Sequence, residues 1–187
     1  MTTMASIGSS TKRIEDPKFL TGRGRYVADI NLPGMLHLVL VRSEHAHAHL
    51  KKIDVSLAIK QPGVVAAFTG EDLKEQLGSL PAGWVLSNMH EPDHPPIAFD
   101  TVRYVGDAVA AIVADDPYVA AEAAGLVDVE YDPLPVEIDA EKATKRGAEL
   151  VHKDVPRNVA FDWDVHGGDY SAAAKKSDVV VKQRVIN

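Results

Sequence analysis

The sequence predicts an α+β fold, and three observations support this. Its apolar share of 45% and charged share of 25% are near the averages for globular domains, so we expect a packed core. Short alternating or β-branched apolar runs, typical of strands, recur between turn residues. Helix signals are fewer and shorter, and they lie between the strand signals. The 187 residues are enough for one main domain and an appended segment.

The composition argues against several classes of function. The chain has 27 acidic and 20 basic residues, and its net charge of −7 does not suit nucleic acid or an anionic membrane surface. It has no cysteine, so it cannot itself form a disulfide, hold an iron–sulfur cluster or use a thiolate nucleophile. There is no signal-peptide pattern and no apolar run of bilayer length, so we expect a soluble, cytoplasmic protein.

The N-terminal part is predicted to be irregular. Residues 1–10 are small and polar, which is typical of a flexible leader. Residues 12–29 contain Pro17 and two glycines among scattered charges, so they are predicted to form a loop or arm. The predicted anchors of this arm are Phe19, Leu20 and Tyr26.

The first strand is predicted after the turn at Pro33 and Gly34. Both alternating faces of residues 35–41 are mostly apolar, which predicts a central strand. We expect residues 46–54 to continue it and residues 56–60 to form a helical turn.

A strand, a cap and a helix are predicted next. Residues 64–68 are β-branched and aromatic, and Thr69 with Asp72 approximates a capping box at the start of a helix. Residues 78–96 contain four prolines, which interrupt both helices and strands. They are predicted to form a long surface loop, of the kind that often contacts a partner.

The central part carries the clearest local signals. Residues 101–114 form two strand-like runs with a break at Gly106 and Asp107, which predicts a hairpin or a bulge. Asp116 is predicted to cap a helix that has Pro117 at its first position. The apolar stripe of this helix is predicted to consist of Val119, Ala120, Ala123, Ala124 and Val127. Residues 127–131 alternate as a half-buried strand does.

The C-terminal part is less regular. Residues 140–148 are predicted to form one more helix, residues 151–170 an extended linker, and residues 178–187 a strand. An uncovered β-branched strand would leave an open sheet edge, which proteins usually cover. We therefore expect a partner at this strand.

His45, His47 and His49 are the candidate metal ligands. Their period-two spacing would place three imidazoles on one face of a strand. Same-face neighbours are about 6–7 Å apart, too far for all three to reach one zinc ion at bonds of about 2 Å. We favour structural histidines, and a metal site remains the minor alternative.

Other chemical motifs are weak. Gly22 and Gly24 lack the strand and helix that a dinucleotide-binding loop requires, and neither a phosphate loop nor a nucleophile elbow occurs. The acidic pairs at 115–116 and 71–72 favour helix capping over catalysis. An anchoring tryptophan explains residues 162–164 without a ligand. We assign no catalytic, cofactor-binding or metal-binding residue.

Several motifs, taken in their order along the chain, resemble one protein family. They are LTGRGRYVADI (20–30), PGMLH (33–37), VRSEHAHA (41–48), TGEDL (69–73), VRYVGDAVA (102–110) and VDVEYDPLP (127–135). The sequence resembles the start of the molybdenum-binding large subunit of xanthine dehydrogenase, aldehyde oxidase and aerobic carbon monoxide dehydrogenase. Glu44 is a departure, because the family usually has proline there.

The resemblance implies a flexible leader at residues 1–12, an α/β-hammerhead domain with a mixed sheet at 13–139, and a linker and strand at 140–187 leading into a molybdenum-cofactor domain. It also implies oxidation of an aldehyde, an N-heterocycle or carbon monoxide with water as oxygen source. Molybdopterin-bound molybdenum would lie in the remainder of the large subunit, and iron–sulfur clusters and FAD on partner subunits. In the family, the cofactor loops and the catalytic glutamate lie downstream of such a domain, so this chain alone would be inactive and would bind no cofactor.

Two classes of function therefore remain. The first is a component of a molybdenum hydroxylase, as part of a longer subunit or as the product of a split gene. The second is a free-standing hammerhead module that binds or scaffolds without redox activity. A metalloprotein that uses His45, His47 and His49 is a third, weaker alternative.

Overall fold

The structure is a computed structural model that describes Gly8, Ser10 and residues 12–185. The leader predicted at residues 1–12 therefore lies largely outside the described residues. The strands are β1 (His37–Arg42), β2 (Ala48–Asp54), β3 (Val64–Thr69), β4 (Thr101–Val102), β5 (Ala108–Ala114) and β6 (Asp128–Pro133). The helices are α1 (Asp16–Leu20), α2 (Gly70–Leu73), α3 (Pro117–Ala124), α4 (Ala140–Ala143) and α5 (Tyr170–Lys176), with 3-10 turns at Val27–Asp29 and Pro156–Asn158. In the described part of the chain, no helix combines the length and the apolar character that a membrane span requires.

The strands form two three-stranded sheets. The first sheet has the order β1-β5-β3, and the second has the order β4-β2-β6. Each neighbouring pair in these sheets is antiparallel. Antiparallel sheets combined with separate short helices confirm the predicted α+β class, although the strands divide between two sheets instead of joining one mixed sheet.

β5 is the centre of the first sheet, and its small apolar side chains allow close packing on both faces. All its residues except Val113 are buried. α3 packs on one face, where Ile112 and Ala123 are fully buried. Leu73 of α2 and Ile97 cover part of the other face. The two sheets share a further cluster that includes Ala48, Val102 and Val109, so they pack against each other there.

Two helices begin as the sequence predicts. The Asp116 carboxylate accepts hydrogen bonds from the main-chain N–H groups of Tyr118 at 2.8 Å and Val119 at 3.2 Å. At α2, Thr69 and Asp72 form a reciprocal capping box. Both caps satisfy main-chain donors that a helix leaves free in its first turn, so both predictions are confirmed.

β1 is an edge strand, and its predicted central position is wrong. Both of its faces are apolar because one faces α3 and the other faces the α2 side of the sheet, where Leu38 is exposed. The predicted continuation through residues 46–54 is also wrong, because the chain bends after Ser43. The Ser43 hydroxyl donates to the carbonyl of His45 at 2.9 Å and accepts from the N–H of His45 at 3.0 Å. β2 then starts the second sheet.

Residues 101–114 do not form the predicted hairpin. β4 pairs with β2, whereas β5 pairs with β1 and β3. Between them, the Asp107 carboxylate accepts from the main-chain N–H of Arg103 at 3.1 Å, and the Asp107 N–H donates to the carbonyl of Tyr104 at 3.2 Å. Gly106 has a φ of 95° in this turn, a conformation that favours glycine. The turn carries the chain from the second sheet to the first.

The arm at residues 12–29 is more regular than predicted, because α1 and a 3-10 turn form within it. The ring of Phe19 stacks on that of Tyr26 with 5.7 Å between centroids. Leu20 is 87% exposed and Tyr26 is 66% exposed. These two predicted anchors therefore do not fix the arm to the core in the described structure.

The C-terminal part differs most from the prediction. α4 ends at Ala143, five residues before the predicted end at 148, and α5 was not predicted. Asp169 caps α5 by accepting from the N–H of Ala172 at 2.9 Å. Residues 178–185 form no strand, because no described strand pairs with them, and residues 186–187 of that predicted strand lie outside the described residues.

The predicted linker at 151–170 is mostly irregular, but it is fixed to the proline-rich loop at 78–96. The N–H of His90 donates to the carbonyl of Ala160 at 2.7 Å, and the Asn88 amide donates to the carbonyl of Asp162 at 2.9 Å. Val155 is only 4% exposed. The loop itself has no helix or strand, as predicted.

Candidate functional site

The three candidate metal ligands make separate protein contacts. The His45 ring packs on an aromatic ring of β6 with 4.6 Å between centroids. His47 Nδ1 lies 3.0 Å from the carbonyl oxygen of Pro135, and His49 Nδ1 lies 3.1 Å from the hydroxyl of Thr101. β2 begins only after His47, so the histidines do not form the regular strand face that their spacing suggests. Among the described residues, no group of three histidine or acidic side chains is arranged to hold a metal ion.

The remaining sequence candidates are also separate from one another. Gly22 has a φ of 67° and follows α1 instead of a strand, so its surroundings are not those of a dinucleotide-binding loop. The Trp163 ring meets the Trp84 ring edge-on with 5.0 Å between centroids. This contact is one further link between the C-terminal segment and the proline-rich loop.

A cleft beside the turn at residues 103–107 brings several ionisable side chains together. We define the Arg103 cleft as the cavity of about 210 Å³ lined by His94, Arg103, Tyr104, Asp107 and His152, among others. Three segments meet here: the proline-rich loop, the turn and the start of the linker. Arg103 also lines a neighbouring cavity of about 420 Å³, to which His49 contributes.

Burial and charge perturb the ionisable groups of the Arg103 cleft. Burial is the main cause that lowers the pKa of His152, and the positive charge of Arg103 is the next. Burial is also the main cause that raises the pKa of Tyr104, followed by the charge of Asp107. The cleft therefore disfavours ionisation of both His152 and Tyr104.

The first sheet has an apolar surface that α2 leaves uncovered. Leu38 pairs with Val113 across the sheet, and Phe68 pairs with Ala111 in the next row. Directly paired residues share a face, so Leu38, Phe68 and Val113 lie on the side opposite α3. We define these three residues as the open face. Leu38 is 60% exposed and Phe68 is 37% exposed.

Sequence reasoning missed both features, although each left a signal. The open face is visible in the sequence as the second apolar side of residues 35–41, which we attributed to a central strand. The turn at residues 103–107 is visible in the sequence as the interruption at Gly106 and Asp107. The sequence does not reveal that this interruption leaves an arginine in a cleft, because His94 and His152 come from distant segments.

Comparisons with known proteins identify the domain. The family described as aldehyde oxidase and xanthine dehydrogenase, a/b hammerhead domain, matches residues 21–135. The 6-hydroxypseudooxynicotine dehydrogenase complex subunit gamma of Paenarthrobacter nicotinovorans is 42% identical over 78% of this chain and 19% of that protein. The carbon monoxide dehydrogenase large chain of Afipia carboxidovorans is 39% identical over 96% of this chain and 23% of that protein.

This chain also matches a solved structure of a Cu,Mo-CO dehydrogenase, with a TM-score of 0.67 and 41% sequence identity between the two. The match covers 79% of this chain and 18% of the dehydrogenase chain. The chain thus spans about a fifth of the length of these two relatives. Because the family match includes more than half of the residues, the chain belongs to the aldehyde oxidase and xanthine dehydrogenase family, as its α/β-hammerhead domain.

Proposed function

We propose that this chain is the structural N-terminal part of the large subunit of a molybdenum hydroxylase. The complete enzyme would oxidise an aldehyde, an N-heterocycle or carbon monoxide with water as the source of oxygen, and the chain alone would be inactive. Residues 13–139 would form the hammerhead domain, and residues 140–187 would lead to the molybdenum-cofactor domain. The family match and the chain's coverage of only 19% and 23% of two relatives support this proposal.

The open face is the observation on which the proposal mainly depends. Exposed apolar side chains on one sheet face are typical of a surface that another domain covers. Burying such a surface contributes about 25 cal/mol per Å². We propose that the cofactor-binding remainder of the large subunit covers Leu38 and Phe68. Subunits that carry iron–sulfur clusters and FAD would complete the complex, which we expect in the cytoplasm.

The cleft beside the proline-rich loop does not suit the phosphate group of a molybdopterin. That cofactor carries an anionic phosphate group, which requires cationic or N–H donors around it. A cleft of about 600 Å³ beside the proline-rich loop is roomy, but Glu91, Asp93 and Asp154 line it. Their negative charges disfavour a phosphate. We therefore propose that the remainder of the large subunit holds the cofactor, and we assign no catalytic residue to this chain.

Binding to the remainder of the large subunit tests this proposal. The remainder, produced separately with its cofactor, is titrated with the chain, and amide exchange in β1 and β3 is compared with and without it. We expect slower exchange in both strands, and substrate oxidation only in the mixture, with an artificial electron acceptor added in place of the iron–sulfur and FAD subunits. Leu38→Glu places a charge on the open face, so we expect the dissociation constant to increase at least tenfold.

Leu57→Glu is the matched control. Leu57 is 58% exposed, close to the value for Leu38, but it lies in the turn at residues 56–60. We expect the Leu57 variant to bind as the unchanged chain does. Equal binding by both variants would contradict the assignment of the open face. No association with the remainder would contradict the proposed function and favour a free-standing module.

A further inference from the structure

Among the described residues, one edge of the Arg103 guanidinium group has no hydrogen-bond partner. Its Nη1 donates to the carbonyl oxygen of Thr101 at 3.1 Å. The other edge consists of Nε and Nη2, and a carboxylate can accept two parallel hydrogen bonds there. Nε is buried without an acceptor, and no other buried side-chain nitrogen or oxygen in the described structure lacks a partner. Buried donors are nearly always paired in folded proteins, so this edge lacks an expected acceptor.

The charge of Arg103 is also not neutralised by direct contact. None of the ion pairs between described residues includes it. Asp107 is close, but its carboxylate accepts the main-chain N–H of Arg103 and so closes the turn. Asp93 and Asp154 lie nearby, yet neither forms an ion pair with the guanidinium.

Basic and acidic groups both line this space, since Asp93 and Asp107 line the cleft and three further carboxylates line the neighbouring cavity. His94 and His152 line the Arg103 cleft, and Lys153 lines the neighbouring cavity that Arg103 shares. Arg103 lowers the pKa of His152 more strongly than Asp154 raises it, and His94 and Asp93 have smaller opposing effects. Arg103 therefore has the largest single charge effect on the pKa of His152.

We propose that the Arg103 cleft binds an oxyanion, such as a carboxylate or a phosphate group, on the Nε and Nη2 edge of Arg103. His94 and His152 lie beside the bound group, and His152 can donate a hydrogen bond to it when protonated. The cavity of about 210 Å³ admits a small anion or the end of a larger one. This proposal concerns binding only and does not depend on the proposed function.

The chain itself provides the test by NMR. Sodium acetate and sodium phosphate are titrated separately, with sodium chloride to keep the ionic strength constant. We expect a saturable shift of the Arg103 Nε signal and of the His152 ring signals. We also expect the pKa of His152 to rise on binding, because a bound anion offsets the positive charge of Arg103.

Three variants make the result specific. Arg103→Met removes both the charge and the edge, so we expect affinity to fall at least tenfold. Arg103→Lys keeps the charge without the planar edge, so we expect an intermediate loss. Arg25→Met removes the same charge from the exposed arm and is expected to leave binding unchanged. If neither anion causes a saturable shift in the unchanged chain, or if Arg103→Met binds equally well, the proposal is wrong.

Adding the remainder of the large subunit distinguishes the two sources of an oxyanion. If it raises the pKa of His152 and prevents acetate from binding, the cleft takes a carboxylate side chain of that partner. If acetate and phosphate bind equally well in the complex, the cleft takes a free anion. Both outcomes support an oxyanion site. Failure of the remainder to associate concerns only the proposed function, since anion binding is measured first on the chain alone.

Discussion

Gly70 contacts the main chain of the segment that follows the proline-rich loop, and the substitution Gly70→Ala tests this contact. A Cβ atom at position 70 would lie 2.7 Å from the carbonyl carbon of Ala98 and 2.8 Å from the carbonyl oxygen of Ile97, and closer still to the Ala98 oxygen. Cβ contacts in proteins are essentially never shorter than 3.0 Å. The atoms involved belong to the main chain, so no side-chain rotation can relieve the overlap.

Two effects of this substitution oppose each other. Alanine is favoured over glycine within a helix by roughly 0.5–1 kcal/mol. Overpacking a close contact costs about 1–3 kcal/mol, because the main chain must move. Gly70 is buried at the first position of a four-residue helix, where helix propensity matters least, so we expect the overlap to dominate. The expected net loss in the free energy of unfolding is about 1–2 kcal/mol, or a Tm lower by roughly 2–8 °C.

Urea unfolding of the chain measures this loss, and Gly78→Ala is the matched control. A Cβ at position 78 would have no atom within 4 Å. We expect the Gly78 variant to differ from the unchanged chain by less than about 0.5 kcal/mol. If Gly70→Ala is as stable as Gly78→Ala, the result contradicts the close contact described between α2 and residues 97 and 98.

Three further predictions concern the core, the C-terminal segment and a helix cap. Ile112 is fully buried, so we expect Ile112→Ala to cost about 2–5 kcal/mol and Ile112→Val about 0.5–1.5 kcal/mol in urea unfolding; equal losses would contradict its tight packing. The Asn158 side chain makes three hydrogen bonds to main-chain groups of residues 143–151. Asn158→Ala is therefore expected to speed amide exchange in this segment, and unchanged exchange would contradict those bonds. Hydrogen bonds from the Thr69 main chain, and next from its hydroxyl, lower the pKa of Asp72. Ionised Asp72 therefore stabilises the folded chain above the unfolded pKa near 3.8, and this stabilisation is lost as the pH falls through the lowered pKa. Asp72→Asn should remove this loss of stability as the pH falls below the unfolded value, as seen in urea unfolding at each pH.

Local interactions explain which elements could be predicted from the sequence. The helix caps at Thr69 and Asp116 depend on residues two or three positions away, and both were recognised. The strands at Val64–Thr69 and Asp128–Pro133 were recognised from their own apolar patterns. These caps and strand patterns do not depend on residues that are distant in the sequence, so a short stretch of sequence is enough to predict them.

Distant contacts explain what could not be predicted. The two runs predicted in residues 101–114 do form strands, but the turn closed by Asp107 sends them to different sheets. Residues 178–185 have the β-branched character of a strand and pair with no described strand. The Arg103 cleft likewise depends on His94 and His152, which the sequence places far apart. A local sequence pattern does not show which distant residues a given residue will contact in the fold.

The sheet order has a consequence for how the chain folds during synthesis. The centre of the first sheet pairs His37 with Ala114, and the second sheet pairs Ala48 with Pro133. The first sheet cannot form its main ladder until β5 has been made, nor the second until β6 has been made, and closing such long loops is slow. Until then, the apolar β1 and β2 segments emerge from the ribosome without their partners. We therefore expect this domain to depend on chaperones early in translation and to become protease-resistant only after β6 has emerged.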